Sequence, residues 1–402
     1  MTWAFGNHAP ASRSARRAAR GDGPACAAVV QADPAIVGEG EAPILVDGWQ
    51  RVPAVWDAVR RSVDDNELVV DEGELGGRFL LTGSPPGAGT HSGAGRIDVV
   101  RMRPLTSCER YDTPATVSLA DLLDGGHDRV HGTSPFRLAD YVEEIIAGGF
   151  PGMRHLKGRA LMQRLDGHID RIIDHDLAEA GFAARRPEAV RGWLRAYAAA
   201  TATTASWETI RDAATGGHSG KPARGTTTVY SELLKSLRIL DPIDAWRPTH
   251  NHLSRLAAAP KHHLADPALA ARLLGRTREH LLQGDEGPLS VPRDGTLLGG
   301  LFESLAALSV RTLAQASGAR TYHLRTEAGR HEIDLVIEGA GAVLAIEVKL
   351  TAAVRDGDVR HLHWLAEAIG ADLADMVVIN TGPEAYRRPD GVAVVPLGVL
   401  GP

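Results

Sequence analysis

The stretch HEIDLVIEGAGAVLAIEVKL, residues 331–350, decides the reading of the chain. Ile333, Leu335 and Ile337 alternate with Asp334, Val336 and Glu338; Gly-Ala-Gly-Ala at 339–342 supplies a turn, and alternation resumes over 343–350. Alternation with a period of two on both sides of a glycine turn predicts a β-hairpin. If residues 339–342 form the loop, Glu338 pairs with Val343, and counting back two by two sets Asp334 opposite Glu347 on one face. Ile333, Leu335, Ile337, Leu344, Ile346 and Val348 then make an apolar layer on the other face. A slip by one residue would exchange the faces, so the register is pinned. Opposed side chains have Cβ atoms about 5 Å apart, and like charges placed there repel. A divalent cation with oxygen ligands would compensate them, and Lys349, two residues beyond Glu347, adds a positive group on the same face.

Asp334 followed by Glu347-Val348-Lys349 resembles the Asp…Glu-x-Lys core of restriction-endonuclease-like nucleases. In that fold a helical Glu often completes the metal site, and Glu303 is the candidate here. Within the helix-like stretch 298–317 it is followed by Ala306, Ala307 and Val310, a spacing that turns it toward an apolar face. A carboxylate on such a stripe needs a partner. The resemblance implies Asp334 and Glu347 as Mg²⁺ ligands, Glu303 as an auxiliary ligand, and Lys349 as the residue orienting the attacking water. A plainer reading stands beside it: Glu-x-Lys is common on solvated strand faces, and domains of this shape can lose the cutting.

At 402 residues the chain predicts two or three domains. Its formal charge of −6 excludes a wholly basic nucleic-acid binder, so any DNA contact must come from a local patch. Cys26 and Cys108 form no disulfide framework or metal motif, which fits a reduced cytoplasm. No apolar run approaches the roughly 20 residues that span a bilayer, so no membrane role is expected. Arg13, Arg16, Arg17 and Arg20 precede only a short apolar run at 24–30, a poor signal peptide. Residues 1–40 are expected to form a disordered or irregular basic arm.

Order is expected from PILVD, residues 43–47, a buried strand ending in a carboxylate. Val52, Val55, Trp56, Val59 and Val63 follow at helical spacing, and GRFLLTGS at 77–84 gives a second strand. APILVDGWQRVP at 42–53 and GRFLLTGS resemble the Walker B and sensor strands of a prokaryotic AAA-type ATPase family fused to a C-terminal domain of unknown function. Ala94-Gly95-Arg96-Ile97 and Arg103-Pro104-Leu105 continue the likeness. It implies a partial P-loop-type αβα sheet and a remnant ATP site: Asp47 beside Mg²⁺, Thr82 as a sensor, Arg96 as a trans-acting arginine. Their plain readings are a strand-end carboxylate at Asp47 and a surface charge at Arg96. The family's Asp-Glu is Asp47-Gly48 here, and no G-x-x-x-x-G-K-[ST] loop precedes Glu41. Without that loop the phosphate cradle and its lysine are missing, so ATP binding and hydrolysis by this chain are not expected.

Further on, 93–103 reads as a strand, 118–124 and 136–146 as helices, and Gly148-Gly149-Phe150-Pro151 resembles the family's junction. The 161–177 helix carries His168, His175 and Asp176, read as a polar face rather than a metal site. Helices at 190–199, 206–214 and 226–240, with a strand at 238–246, outline a winged helix whose Lys221, Arg224, Lys235 and Arg238 could meet phosphates. PKHHLADPALAARLLG at 260–275 resembles the family's Pro-Lys signature, with His262 and His263 as loop or strand residues. A helix at 359–369 and strands at 376–380 and 392–397 complete a helix, three strands, helix, strand order. His361 and His363 could approach the hairpin face, with surface placement the plainer expectation.

The expectation is a multidomain α/β protein: an arm at 1–40, a partial ATPase core at 41–133, a helical connection at 134–186, a winged-helix-like region at 187–258 and a restriction-endonuclease-like domain at 259–402. Three functions stay open. One is a degenerate ATPase-family protein with a nucleic-acid-associated or regulatory role, the second a Mg²⁺-dependent DNA endonuclease, the third a non-enzymatic interaction module. DNA, a protein partner and a second copy of the chain are the partners considered.

Overall fold

Ile44 and Val46 are the two buried positions of a four-residue strand, and a small sheet forms around them. The elements are β1 (Ala19–Arg20), α1 (Pro24–Ala32), β2 (Ile44–Asp47), α2 (Ala54–Asn66) and β3 (Phe79–Thr82). All three strands are parallel in the order β1-β2-β3, with Ile44 opposite Phe79 and Asp47 opposite Thr82. Parallel neighbours need crossovers, which α1 and α2 provide. Val55, Ala58 and Val59 of α2 close the core against Ile44, Val46 and Val30. The computed structural model describes residues 19–20, 24–40, 42–66, 78–83, 97–111, 114–126, 129–182, 186–214, 223–247, 259–284, 295–326, 329–339 and 341–402.

The expectation of an irregular arm over 1–40 is corrected where the chain is described. Residues 19–20 join the sheet and 24–32 are helical. The helix starts with Pro at its first position and is rich in Ala, so propensity rather than apolar periodicity makes it.

The sheet belongs to the unit Met1–Val100; a second unit comprises Arg101–Pro402. The second opens with α3 (Ser107–Arg110), β4 (Val117–Ser118), α4 (Leu119–Leu123) and β5 (Gly132–Thr133). Next come α5 (Leu138–Ala147) and α6 (Gly158–Arg171), which runs through a π-helical turn, Ile172–Asp176, into α7 (Leu177–Glu179). Then follow α8 (Pro187–Ala199), α9 (Trp207–Ala213), α10 (Arg224–Ser236), α11 (Pro267–Leu273) and α12 (Arg278–Gln283). The last part is α13 (Leu297–Ala316), β6 (Arg320–Arg325), β7 (Glu332–Glu338), β8 (Val343–Val348), α14 (Asp356–Ile369), β9 (Leu373–Asn380), β10 (Glu384–Arg387), β11 (Ala393–Pro396) and β12 (Leu400–Gly401).

Seven strands form one mixed sheet in the order β5-β10-β11-β9-β8-β7-β6. Its central hairpin keeps the expected register from Glu338–Val343 to Leu335–Ile346. Leu335, Ile337, Leu344, Ile346 and Val348 pack with Leu301, Phe302 and Leu305 of α13. Val336, Val343 and Ala345 pack with Val359, Leu362 and Leu365 of α14. Both faces are therefore covered, where alternation had implied one.

Two further expectations change. Ile333 joins the α14 side, because the β6–β7 ladder passes from Tyr322–Val336 to Leu324–Ile333 and inserts an extra β7 residue. Residues 101–133, placed by sequence in the ATPase-like core, belong to the second unit: β5 pairs with β10 and β4 with β12. The stretch expected as a strand at 93–103 pairs with no strand among its described residues, 97–103. Helices α8, α9 and α10 occupy the three expected places, and the chain after them is extended, bridging Leu240 to Leu264 and Ile243 to Lys261.

Among the described residues one helix, α13, is long and apolar enough to cross a membrane by length and composition. Its most apolar window is 78% buried inside the unit, and the helix also carries Glu303 and Arg311. Sequence reading had found no such run.

Candidate functional site: a carboxylate cluster around Lys261

Of the four residues expected at a nuclease-like site, Asp334, Glu347 and Lys349 come from the hairpin and its exit, and Glu303 from α13. Between them lies a residue that sequence reading did not assign. Lys261 is completely buried, and its Nζ lies 2.9 Å from Glu303 Oε1, 2.9 Å from Asp334 Oδ1 and 3.3 Å from Glu332 Oε1. It sits in an extended segment whose backbone exchanges both hydrogen bonds with Ile243, at 2.8 and 2.9 Å. The ammonium is thus fixed from the middle of the chain and delivered to acids from its C-terminal part.

Asp334 occupies the extra β7 position, which brings it to the α13 side. Beyond Leu335–Ile346 the hairpin ladder ends, and Val348 N–H donates to Asp334 Oδ2 at 2.9 Å instead. Glu347 is 4% exposed and accepts from Lys349 Nζ at 2.6 Å.

The charges follow from burial and proximity. Burial opposes the Asp334 carboxylate, but Lys261, Lys349 and the Val348 N–H outweigh it and hold the group well below the usual carboxylate range. Glu347 goes the other way, pushed well up by burial and by Asp334, with Lys349 pulling against them. Burial and the Asp334 charge likewise push Glu303 up to about 8, despite Lys261. Both lysines stay charged: burial works against them, and the neighbouring carboxylates more than compensate. Burial lowers His262 and His323 to about 4, so the positive charge here rests on the two lysines and on Arg325, 3.5 Å from Glu332.

The donor set can now be compared with the Mg²⁺ that the nuclease resemblance implies. Asp334 uses one oxygen for Lys261 and the other for Val348 N–H, and Glu303 meets the same ammonium. A cation bound to both acids at the roughly 2.1 Å of Mg²⁺ would share its space with Lys261 Nζ. With Lys261 in place the residues do not fit that ion.

The other expected site residues lie elsewhere. Thr82 Oγ1 donates to Asp47 Oδ1 at 2.7 Å, across the ends of paired strands. Beside Asp47 is an apolar cavity of about 20 Å³ lined by Cys26, Val46, Trp49 and neighbours, room for no more than a water. Arg96 lies outside the described residues, as do Lys221 and the Ala94-Gly95 preceding Arg96. Of the other cations expected to meet phosphates, Arg224 pairs with Glu208, and Lys235 lies over the Trp207 ring at 5.1 Å. Arg238 is exposed.

His361 meets the Glu332 backbone at 2.8 Å, and His363 meets Asp390 at 3.3 Å; neither ring bonds to a carboxylate of the cluster. His175, Asp176 and Glu179 gather at the surface, where Arg171 already pairs with Asp176 at 3.5 Å. Cys26 and Cys108 are free thiols.

Lys261 and Glu332 are the members that sequence reading missed. Glu303, Glu332, Asp334 and Glu347 are four acids met nearby in sequence by two cations, Lys349 and Arg325, and that imbalance calls for a further cation. A lysine inside the apolar stretch PKHHLADPALA is the group that must find acids on burial.

Residues 298–400 match the family described as Domain of unknown function (DUF4143), and residues 138–280 match Domain of unknown function (DUF8612). No curated protein matches the chain. The two matched stretches meet at the cluster: Lys261 lies in the second, and Glu303, Glu332, Asp334, Glu347 and Lys349 in the first.

Proposed function

We propose that this chain is a degenerate member of the AAA-type ATPase family it resembles, with a nucleic-acid-associated or regulatory role and no ATP hydrolysis of its own. In this reading the C-terminal part has a restriction-endonuclease-like shape but works as a rigid binding module. The observation that carries it is the Lys261 ammonium among Glu303, Glu332 and Asp334, which supplies inside the protein the charge compensation a catalytic cation would bring. The missing phosphate loop and the Asp47–Thr82 hydrogen bond support the same reading for the N-terminal sheet. Plasmid incubated with purified protein and Mg²⁺ or Mn²⁺ should stay supercoiled, and ATP should be neither bound at micromolar concentration nor hydrolysed. Nicking that Glu347→Ala abolishes would overturn the proposal.

That outcome would favour a second reading, a Mg²⁺-dependent DNA endonuclease. The feature in its favour is the pair of buried carboxyl groups, Asp334 and Glu347, with Lys349 bonded to Glu347. It requires Lys261 to leave its place, so Lys261→Ala should then cut faster than the wild type.

A further inference from the structure

A second charged cluster in the Arg101–Pro402 unit has the opposite sign. Asp241 follows α10 and is 4% exposed. Three guanidinium groups converge on it: Arg101 Nη1 at 2.6 Å, Arg103 Nε at 2.9 Å and Arg311 Nη1 at 2.9 Å. Arg311 also donates to the Asp241 carbonyl at 2.6 Å, and Arg103 to Gln315 Oε1 at 3.3 Å. Arg238 adds a fourth positive charge near Arg101, and Asp244 a second negative one near Arg311.

Four cations against two anions leave a surplus of about two positive charges. Each guanidinium brings five N–H donors, far more than one carboxylate, one carbonyl and one amide oxygen can accept. The Arg101 Nε is buried and has no hydrogen-bond partner among the described residues. Burial and the neighbouring arginines pull Arg101 down to about 10, against the attraction of Asp241. Solvent still reaches the edge of the cluster, since the Arg101 and Arg311 side chains are 18% and 14% exposed.

A pair that served only to pin 101–103 against α13 would need one arginine per carboxylate. We infer that Arg101, Arg103 and Arg311, with Arg238 at the rim, form a binding site for a phosphoryl group, carried either by free phosphate or by a nucleic-acid backbone. A phosphate dianion matches the surplus charge, and its oxygens suit the planar forks of arginine. The site is separate from the Lys261 cluster, and the inference stands whether or not the chain cuts DNA.

The test is thermal unfolding and calorimetric titration of the full chain with inorganic phosphate, against chloride at equal ionic strength, and with single-stranded and duplex oligonucleotides. Phosphate should stabilise the wild type beyond chloride, and Arg101→Gln should weaken its binding by about tenfold, the worth of one charge-assisted hydrogen bond. Asp241→Asn, which removes the internal anion, should be destabilised in chloride and recover in phosphate, a rescue that a purely structural pin would not show. If oligonucleotides bind, lose affinity in Arg101→Gln and are displaced by phosphate, the source is the nucleic-acid backbone. If phosphate acts and oligonucleotides do not, the source is a free phosphoryl compound. Stabilisation no greater than in chloride, for both the wild type and Asp241→Asn, would overturn the inference.

Discussion

Asp47 and Asp334 are both acids on strands of α/β sheets, yet the two regions treat them differently. Asp47 leaves its strand into solvent and bonds a neutral hydroxyl, Thr82. Asp334 is 8% exposed and takes a backbone N–H and a buried ammonium. The first acid can be altered with little consequence, because water compensates it. The second is held in a network in which each charge depends on the others. A catalytic-looking carboxylate in sequence is thus defined by what neutralises it.

Removing the central cation should separate the two regions most clearly. Lys261→Met leaves buried carboxylates uncompensated and should cost about 3–5 kcal/mol, read from denaturant unfolding. A loss under 1 kcal/mol would mean that the acids are less closely held than the distances imply. Asp334→Asn should cost less, about 2–3 kcal/mol, since Lys261 retains Glu303 and Glu332.

The pH dependence sharpens the contrast. Glu303 is raised to about 8, above its ordinary value, so its contribution is complete below about pH 4.5 and is lost as pH rises through about 8. Stability should fall by about 5 kcal/mol or less over that window, and Glu303→Gln should flatten this part of the curve. A wild-type curve that Glu303→Gln leaves unchanged would remove Glu303 from the network. The smallest effect belongs to the other region: Asp47→Asn should change stability by no more than about 1 kcal/mol.

Much of the C-terminal architecture was legible in the sequence. Period-two alternation placed the hairpin, and the turn fixed its pairing from Glu338–Val343 onward. Helical spacing placed α13 and oriented Glu303 correctly. The missed features depend on distant contacts. The extra β7 residue at Asp334 is visible only against β6, and it alone moves Ile333 to the other face. Strands β4, β5, β10 and β12 are two to four residues long, too short for a period to appear. Lys261 lies 42 and 73 residues from Glu303 and Asp334, so no local pattern links them. The N-terminal region was readable as strand, helix, strand, and of the three residues expected at a nucleotide site there, Asp47 and Thr82 are hydrogen-bonded to each other while Arg96 lies outside the described residues.

The pairing of β4 with β12 bears on how the molecule is made. Val117 waits for Leu400, and Gly132 for Ala385, so segments leaving the ribosome early have partners that emerge on the order of tens of seconds later. Until then the apolar side chains of α4 and the edge of the growing sheet have no native cover. During synthesis this stretch is the natural target for a chaperone, and substitutions in β12 should show in the yield of soluble protein before they show in the behaviour of the finished one.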